Sequence, residues 1–260
     1  MEDLYEYAVD ECIRKGMKVL WGFTPAVKAF SKFGFQHYEA LQTYERLGSN
    51  LCYGLRARLK QRNGVWRKSG AISKYILKYL FSLRPIPKIE RRKGYDIFCD
   101  QIDVRLLKDL YRRIRERCFG IITLSLDKDF LEWRVRGHPF FRYQEYQVIY
   151  GRELRAYALV VFNQGILYIS DLTSEDQYAT FLLVSTLLKH YINSSEKIVI
   201  KLNPNDILAQ QTFAVLEKLS FFPSSLENFV LRVISEEHSK LYNRISNWHI
   251  NGLWTEGFKM

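Results

Sequence analysis

The stretch from Arg155 to Asp171 limits the folds open to this chain more than any other. Arg-Ala-Tyr-Ala-Leu-Val-Val-Phe is followed by Asn163-Gln164-Gly165 and then by Ile-Leu-Tyr-Ile-Ser-Asp. Two β-prone runs joined by three residues ending in Gly read as a hairpin, with the glycine in the left-handed region that other residues avoid. Thr173-Ser174-Glu175-Asp176-Gln177 then offers the side-chain oxygens that cap a helix, and Lys197 to Leu202 supplies a further apolar strand. A strand-helix-strand crossover makes its two strands parallel and turns right-handed. An antiparallel meander running into one such parallel unit gives an α/β fold, a mixed sheet with helices on its faces.

Upstream, Leu4, Ala8 and Cys12 mark an amphipathic helix ended by Gly16, and Met17 to Trp21 reads as a short strand. Thr24-Pro25 opens a second helix, Gly34 closes it, and a strand begins at Phe35-Gln36-His37-Tyr38. Further on, Tyr95 to Cys99 reads as a strand, Leu106, Leu107, Leu110, Tyr111 and Ile114 as a helix face, and Asp127 to Arg134 as a short helix. Tyr143 to Tyr150 alternates toward a strand. Asn203-Pro204-Asn205-Asp206 caps a helix carrying Phe213, Leu216 and Leu219, and Asn228 to Ile234 and Asn247 to Leu253 are expected as closing strands.

This order resembles the GNAT acyltransferase superfamily, in which the strand after the hairpin and the next parallel strand splay apart to admit the pantetheine arm of acetyl-CoA. Ala26 to Phe35 is similar to the segment A-x-x-x-Y-x-K-x-G-F of that superfamily, with Phe30 at the position that often holds a proton-donating tyrosine. Leu216-Glu217-Lys218-Leu219-Ser220-Phe221 is a weaker copy, with Leu216 at the tyrosine and Ser220 at the glycine. Phe130-Leu131-x-Trp133-Arg134, followed by His138-Pro139 and Tyr143, resembles the second module of tandem GNAT proteins, some linked to polysaccharide biosynthesis. The resemblance implies three units: residues 1–48 as the C-terminal half of one module, 49–93 as a basic linker with an amphipathic helix, and 94–260 as a whole GNAT-like domain. It leaves open that sequence is missing before Met1. A piece as short as the first unit buries too little surface to fold alone and must pack on the rest of the chain or on a partner.

Composition sets the remaining bounds. At 260 residues with 47% hydrophobic and 15% aromatic content, the chain can bury a large core. Cys12, Cys52, Cys99 and Cys118 lack the close pairs of a zinc site and read as reduced thiols. The five histidines show no metal-ligand spacing, and no nucleophile elbow or phosphate-binding P-loop pattern is present. An acidic start and the lack of a long apolar run make the cytoplasm the expected compartment. The net charge of +11 is concentrated between Tyr53 and Lys93, where 13 basic residues face the single acid Glu90. There Ala71 to Leu83 has helical apolar spacing, stopped by Pro85 and Pro87. A packed linker, a helix held on an anionic membrane or polymer, and an RNA-binding element all stay open, although no specific nucleic-acid motif is visible.

The resemblance assigns candidate roles. Asp171, at the end of the organising strand, is the candidate general base toward an amine. Ser170, Leu172, Thr173 and Ser174 are the candidate acetyl-CoA contacts, and Trp133, Arg134 and Tyr143 the candidate acceptor contacts, although Trp133 reads first as core packing. No metal is expected. Residues 172–177 hold no glycine, and Glu175 and Asp176 are expected where the phosphates of the coenzyme would approach. Two functions follow. One is acyl transfer from acetyl-CoA to an amine of a sugar or other small acceptor, and the other is a non-catalytic GNAT-like module that meets an anionic partner through the basic segment. A homo-oligomer is left open.

Overall fold

The computed structural model describes residues 2–49, 82, 84–88 and 92–255. The strands are β1 (Val19–Phe23), β2 (Gln36–Leu47), β3 (Tyr95–Cys99), β4 (Tyr143–Tyr150), β5 (Glu153–Asn163), β6 (Ile166–Ser174), β7 (Lys197–Leu202) and β8 (Phe222–Val233). They form one sheet in the order β1-β8-β2-β7-β6-β5-β4-β3. The helices that matter here are α1 (Glu2–Arg14), α2 (Val27–Lys32), α3 (Val104–Arg117), α4 (Lys128–Phe130), α5 (Gln177–Tyr191) and α6 (Ala209–Lys218). No described helix is long and apolar enough to cross a membrane.

The organising hairpin is present and tighter than expected by one residue. Asn163 pairs directly with Ile166, leaving Gln164 and Gly165 as the turn, at φ 48° and 78°. Two successive left-handed residues match the twist of the flanking strands. The crossover through α5 makes β6 and β7 parallel, from Ile166 opposite Lys197 to Ile169 opposite Ile200.

Helices pack on both faces because the strands are apolar on both. Leu167, Ile169, Ile198 and Ile200 point to α5 and α6, whose Leu183, Leu187, Val215 and Leu216 complete one core. Leu154, Tyr157 and Leu159 meet Leu107, Leu110 and Ile114 of α3 on the other face. Asp103 and Asp127 accept from the backbone N–H of Arg105 and Phe130, fixing the starts of α3 and α4. A π-helical turn, Leu131–Arg136, continues α4.

The N-terminal segment does not stand apart. β2 lies between β7 and β8, antiparallel to both, so residues expected as half of a separate module share a sheet with residues 94–255. The seam is tight at Gly48, whose N–H donates to the Glu196 carbonyl at 2.8 Å and where an added Cβ would stand 2.0 Å from the Ser195 oxygen. Arg46, 1% exposed, donates to the carbonyls of Leu219, Ser82 and Arg84. Ser220 follows α6 at φ 61°, the left-handed position that Gly34 fills after α2 at φ 74°.

The expected closing strand at Asn247 to Leu253 is not one. These residues form single turns of 3-10 helix, Ile245–Asn247 and Gly252–Trp254, with isolated bridges Ile122 to Trp248 and Leu202 to Asn251. The sheet position beside β7 that a closing strand would take belongs to β2. Of the helix expected over Ala71 to Leu83, all but Ser82 lies outside the described residues.

Candidate functional site

The parallel pairing of β6 and β7 ends at Ile169 and Ile200, and β6 continues beside β5 alone as far as Ser174. A bulge at Ser170, where Leu159 faces Asp171 and Val160 faces Ile169, bends β6 away from β7 at that point. The two strands therefore open into a gap at their C-terminal ends, flanked by the first turn of α5.

The chain's own C-terminal segment crosses this gap. On the β7 side, Asn251 bridges to Leu202 and the N–H of Asn203 donates to the Ile250 carbonyl at 3.0 Å. On the β6 side, Gly252 lies against Ser170, where an added Cβ would stand 3.1 Å from the Ser170 oxygen. Trp248, His249, Ile250 and Asn251 are each 2% exposed or less. No residue from Ser170 to Ser174 exceeds 7% exposure.

Behind the segment lies a buried polar chain. The Asp171 carboxylate, 1% exposed, accepts from Tyr157 Oη at 2.6 Å, Asn251 Nδ2 at 2.7 Å and Thr173 Oγ1 at 3.2 Å. Tyr111 Oη meets Tyr157 Oη at 2.7 Å. His249 Nε2 meets Thr173 Oγ1 at 2.9 Å and its Nδ1 meets Asp206 at 2.5 Å. Thr173 Oγ1 thus stands between the Asp171 carboxylate and the His249 ring, whose other nitrogen faces Asp206. Burial pulls the His249 imidazole down, but the adjacent Asp206 carboxylate overrides it and holds the ring above its ordinary value. Burial likewise raises the Asp171 carboxyl, and the Tyr157 hydroxyl is pushed far up by burial and by Asp171.

Asp171 sits at the bend, but its oxygens are taken by three internal donors and face no open space. Ser170 precedes it on β6, and Leu172, Thr173 and Ser174 follow: Leu172 is packed in the α5 core, Thr173 belongs to the polar chain, and the Ser174 hydroxyl lies 2.8 Å from the Asp176 carbonyl. Trp133 is 71% exposed, which removes the core reading, while Arg134 donates to the Thr255 carbonyl at 3.1 Å. Burial raises the Tyr143 hydroxyl, with Arg134 and Ser170 beside it lowering it again, so Tyr143 and Arg134 border the bend while Trp133 stands outside.

The expectation for Glu175 is corrected. Its carboxylate turns away from the mouth of α5 and is buried among Arg113 at 2.9 Å, Arg155 at 2.7 Å and Arg117 at 3.8 Å. The sequence separations of 62 and 20 residues left no local pattern by which to foresee this cluster. Asp176 does stand at the mouth, where it accepts from the Ala179 N–H at 2.6 Å. The chain thus supplies its own anion to the positive end of the helix.

Sequence reasoning missed the groove beside that mouth. Between α5 and α6 a space of about 710 Å³ is lined by Lys88, Arg92, Lys218, Tyr178, Phe181 and Asp176 among others. Arg92 lies over the Tyr178 ring at 4.4 Å and Lys218 over Phe181 at 5.1 Å. None of the three cations forms an ion pair with a described acid, so three positive charges and flat aromatic faces meet one carboxylate that is already engaged. The basic run was visible in the sequence, but the meeting of Lys88 and Arg92 with Tyr178 and Lys218 was not. Among the described residues no cluster of three or more His, Cys, Asp or Glu side chains is placed to hold a metal.

The fold is that of the GNAT acetyltransferases. A GCN5-related N-acetyltransferase from Anabaena variabilis superimposes at a TM-score of 0.58 with 12% identity, over 90% of this chain and 50% of that one. A conserved protein of unknown function from Enterococcus faecalis, described as a probable N-acyltransferase, gives 0.56 with 8% identity over 88% and 48%. A GCN5-related N-acetyltransferase from Kribbella flavida gives 0.53 with 11% identity over 86% and 45%. The chain spans about half the length of these structures. No family profile matches its sequence, and no curated protein does. The acyl-bearing arm of a coenzyme does not fit between β6 and β7: that space is crossed by Ile250 to Gly252, and the strand it would lie along is buried.

Proposed function

We propose that this chain is a GNAT-fold binding module whose working surface is the groove between α5 and α6, and that it takes a phosphorylated, anionic ligand there. The observation that carries the reading is the convergence of Lys88, Arg92 and Lys218 on the mouth of α5 with no described acid paired to them. Cations left unpaired beside aromatic faces favour a ligand that brings phosphate charge and a flat ring. The basic run from Tyr53 to Lys93 extends the same charge along the chain, which suits an anionic polymer or membrane as the carrier of such a group.

Calorimetric titration with coenzyme A tests this. Binding is expected to weaken by about tenfold or more between 50 and 200 mM salt, because several charge contacts are screened together, and to weaken similarly in Arg92→Ala and Lys218→Ala. Unchanged affinity in both variants would remove the groove from the reading.

Acyl transfer to an amine of a sugar or another small acceptor is the second reading. It is favoured by the retained bulge at Ser170 and the parting of β6 from β7. Acetyl-CoA turnover by the purified chain, abolished in Asp171→Asn at unchanged thermal stability, would establish it.

A further inference from the structure

We infer that the segment from His249 to Leu253 is a built-in occupant of the gap between β6 and β7, and that the ligand of the α5 groove is held by its phosphate-bearing head alone. This rests on the groove reading for the head and on the gap's own geometry for the exclusion of anything longer. The segment meets both walls: backbone bonds tie Ile250 and Asn251 to the end of β7, and Gly252 seats against the Ser170 backbone, where an added Cβ would be crowded at 3.1 Å. It is also anchored by chemistry specific to this place. Asn251 donates to Asp171, its own Oδ1 accepts from Leu253 N–H at 3.0 Å, and His249 is clamped between Asp206 and Thr173. Farther back, Ile122 N–H donates to the Asn247 carbonyl at 2.7 Å, and His249 N–H to the Ile122 carbonyl at 2.9 Å.

A loosely laid flap would show exposed apolar groups and few polar anchors. This segment shows the opposite. Trp248 and Ile250 are 1% and 0% exposed, packed with Leu41, Phe229 and Leu231, so withdrawing it would uncover core, take one of three donors from Asp171 and part His249 from Asp206 and Thr173. The segment is part of the folded state. An anionic head at the mouth of α5 then has no route for an arm along β6, and Asp171 is kept from any acceptor.

Two measurements test this on the full chain. In the ligand-free protein, hydrogen exchange of the Ser170–Ser174 and Ile250–Leu253 amides should be as slow as that of the β5 core; exchange within seconds in both stretches would show an open gap and overturn the inference. In the second, adenosine 3′,5′-bisphosphate, coenzyme A and acetyl-CoA are titrated in parallel. Equal dissociation constants within about twofold are expected, since the arm contributes no contact, and a tenfold preference for coenzyme A or acetyl-CoA would overturn the inference. If none of the three binds, the groove reading fails, while the exchange data still decide whether the gap is closed.

Discussion

Replacing Glu175 with Ala gives the sharpest test of how the mouth of α5 is built. The carboxylate is 1% exposed on its side chain and receives Arg113 Nε at 2.9 Å and Arg155 Nη1 at 2.7 Å, while Arg117 at 3.8 Å is 56% exposed and contributes little. Two charge-assisted hydrogen bonds at about 1.5 to 3 kcal/mol each set a ceiling of about 6 kcal/mol. Arg113 and Arg155 are 16% and 22% exposed, so water replaces part of what they lose, and a net cost of about 3 kcal/mol is expected. For a chain of this length that lowers the melting temperature by about 6 to 12 °C. Glu175→Gln keeps one acceptor and should cost about half as much. Urea unfolding monitored by tryptophan fluorescence measures both. A loss below about 1 kcal/mol in Glu175→Ala would mean that the arginine cluster does not hold this carboxylate. A gain in affinity for an anionic ligand would refute the claim that Glu175 faces away from the groove.

Three further expectations are independent of that one. Gly48→Ala should cost at least about 3 kcal/mol or prevent folding, because its Cβ would stand 2.0 Å from the Ser195 backbone oxygen; a soluble variant with wild-type stability would show that this seam yields. Ser220→Gly should stabilise the chain by about 0.5 to 1 kcal/mol by relieving a left-handed serine at φ 61°, readable as a rise in the urea midpoint and contradicted by a fall. The His249 imidazole is held above its unfolded value, so its contribution is complete below about pH 6.5 and is lost as pH rises through the folded value. Burial raises the Asp171 carboxyl as well, which gives the same sign at lower pH. Stability should therefore fall on the alkaline side of pH 6.5, and His249→Asn should flatten that fall; an identical slope in the variant would exclude His249 as its source.

The parts of the fold legible in the sequence are those set by neighbours along the chain. The hairpin announces itself because Gly165 stands between two β-prone runs and suits a left-handed turn position; that Gln164 shares that conformation, at φ 48°, had no local signal. The crossover is legible because capping oxygens stand directly before an apolar helix. The insertion of β2 between β7 and β8 left no such mark: its partners lie more than 100 residues away, and Leu41 and Tyr44 would suit many apolar strands equally well. Trp248 to Leu253 alternates like a strand, yet its apolar residues are buried because the segment threads between core elements. Asp171 was expected at the end of its strand, which instead runs on to Ser174; the three donors that occupy it come from β5, β6 and the C-terminal segment, and only the assembled fold shows that they converge.

The place of β2 also governs how the molecule comes into being. Leu47 must find Lys197, and Gln36 must find Leu231, so a strand made early waits for partners on both sides that are made late. At a synthesis rate of roughly 5 to 20 residues per second, the 150 residues between Leu47 and Lys197 correspond to about 8 to 30 seconds on the ribosome. For that interval both edges of β2 and its buried Leu41 lack their partners, so aggregation during synthesis is expected to begin here, and a chaperone that shields extended strands would act here first.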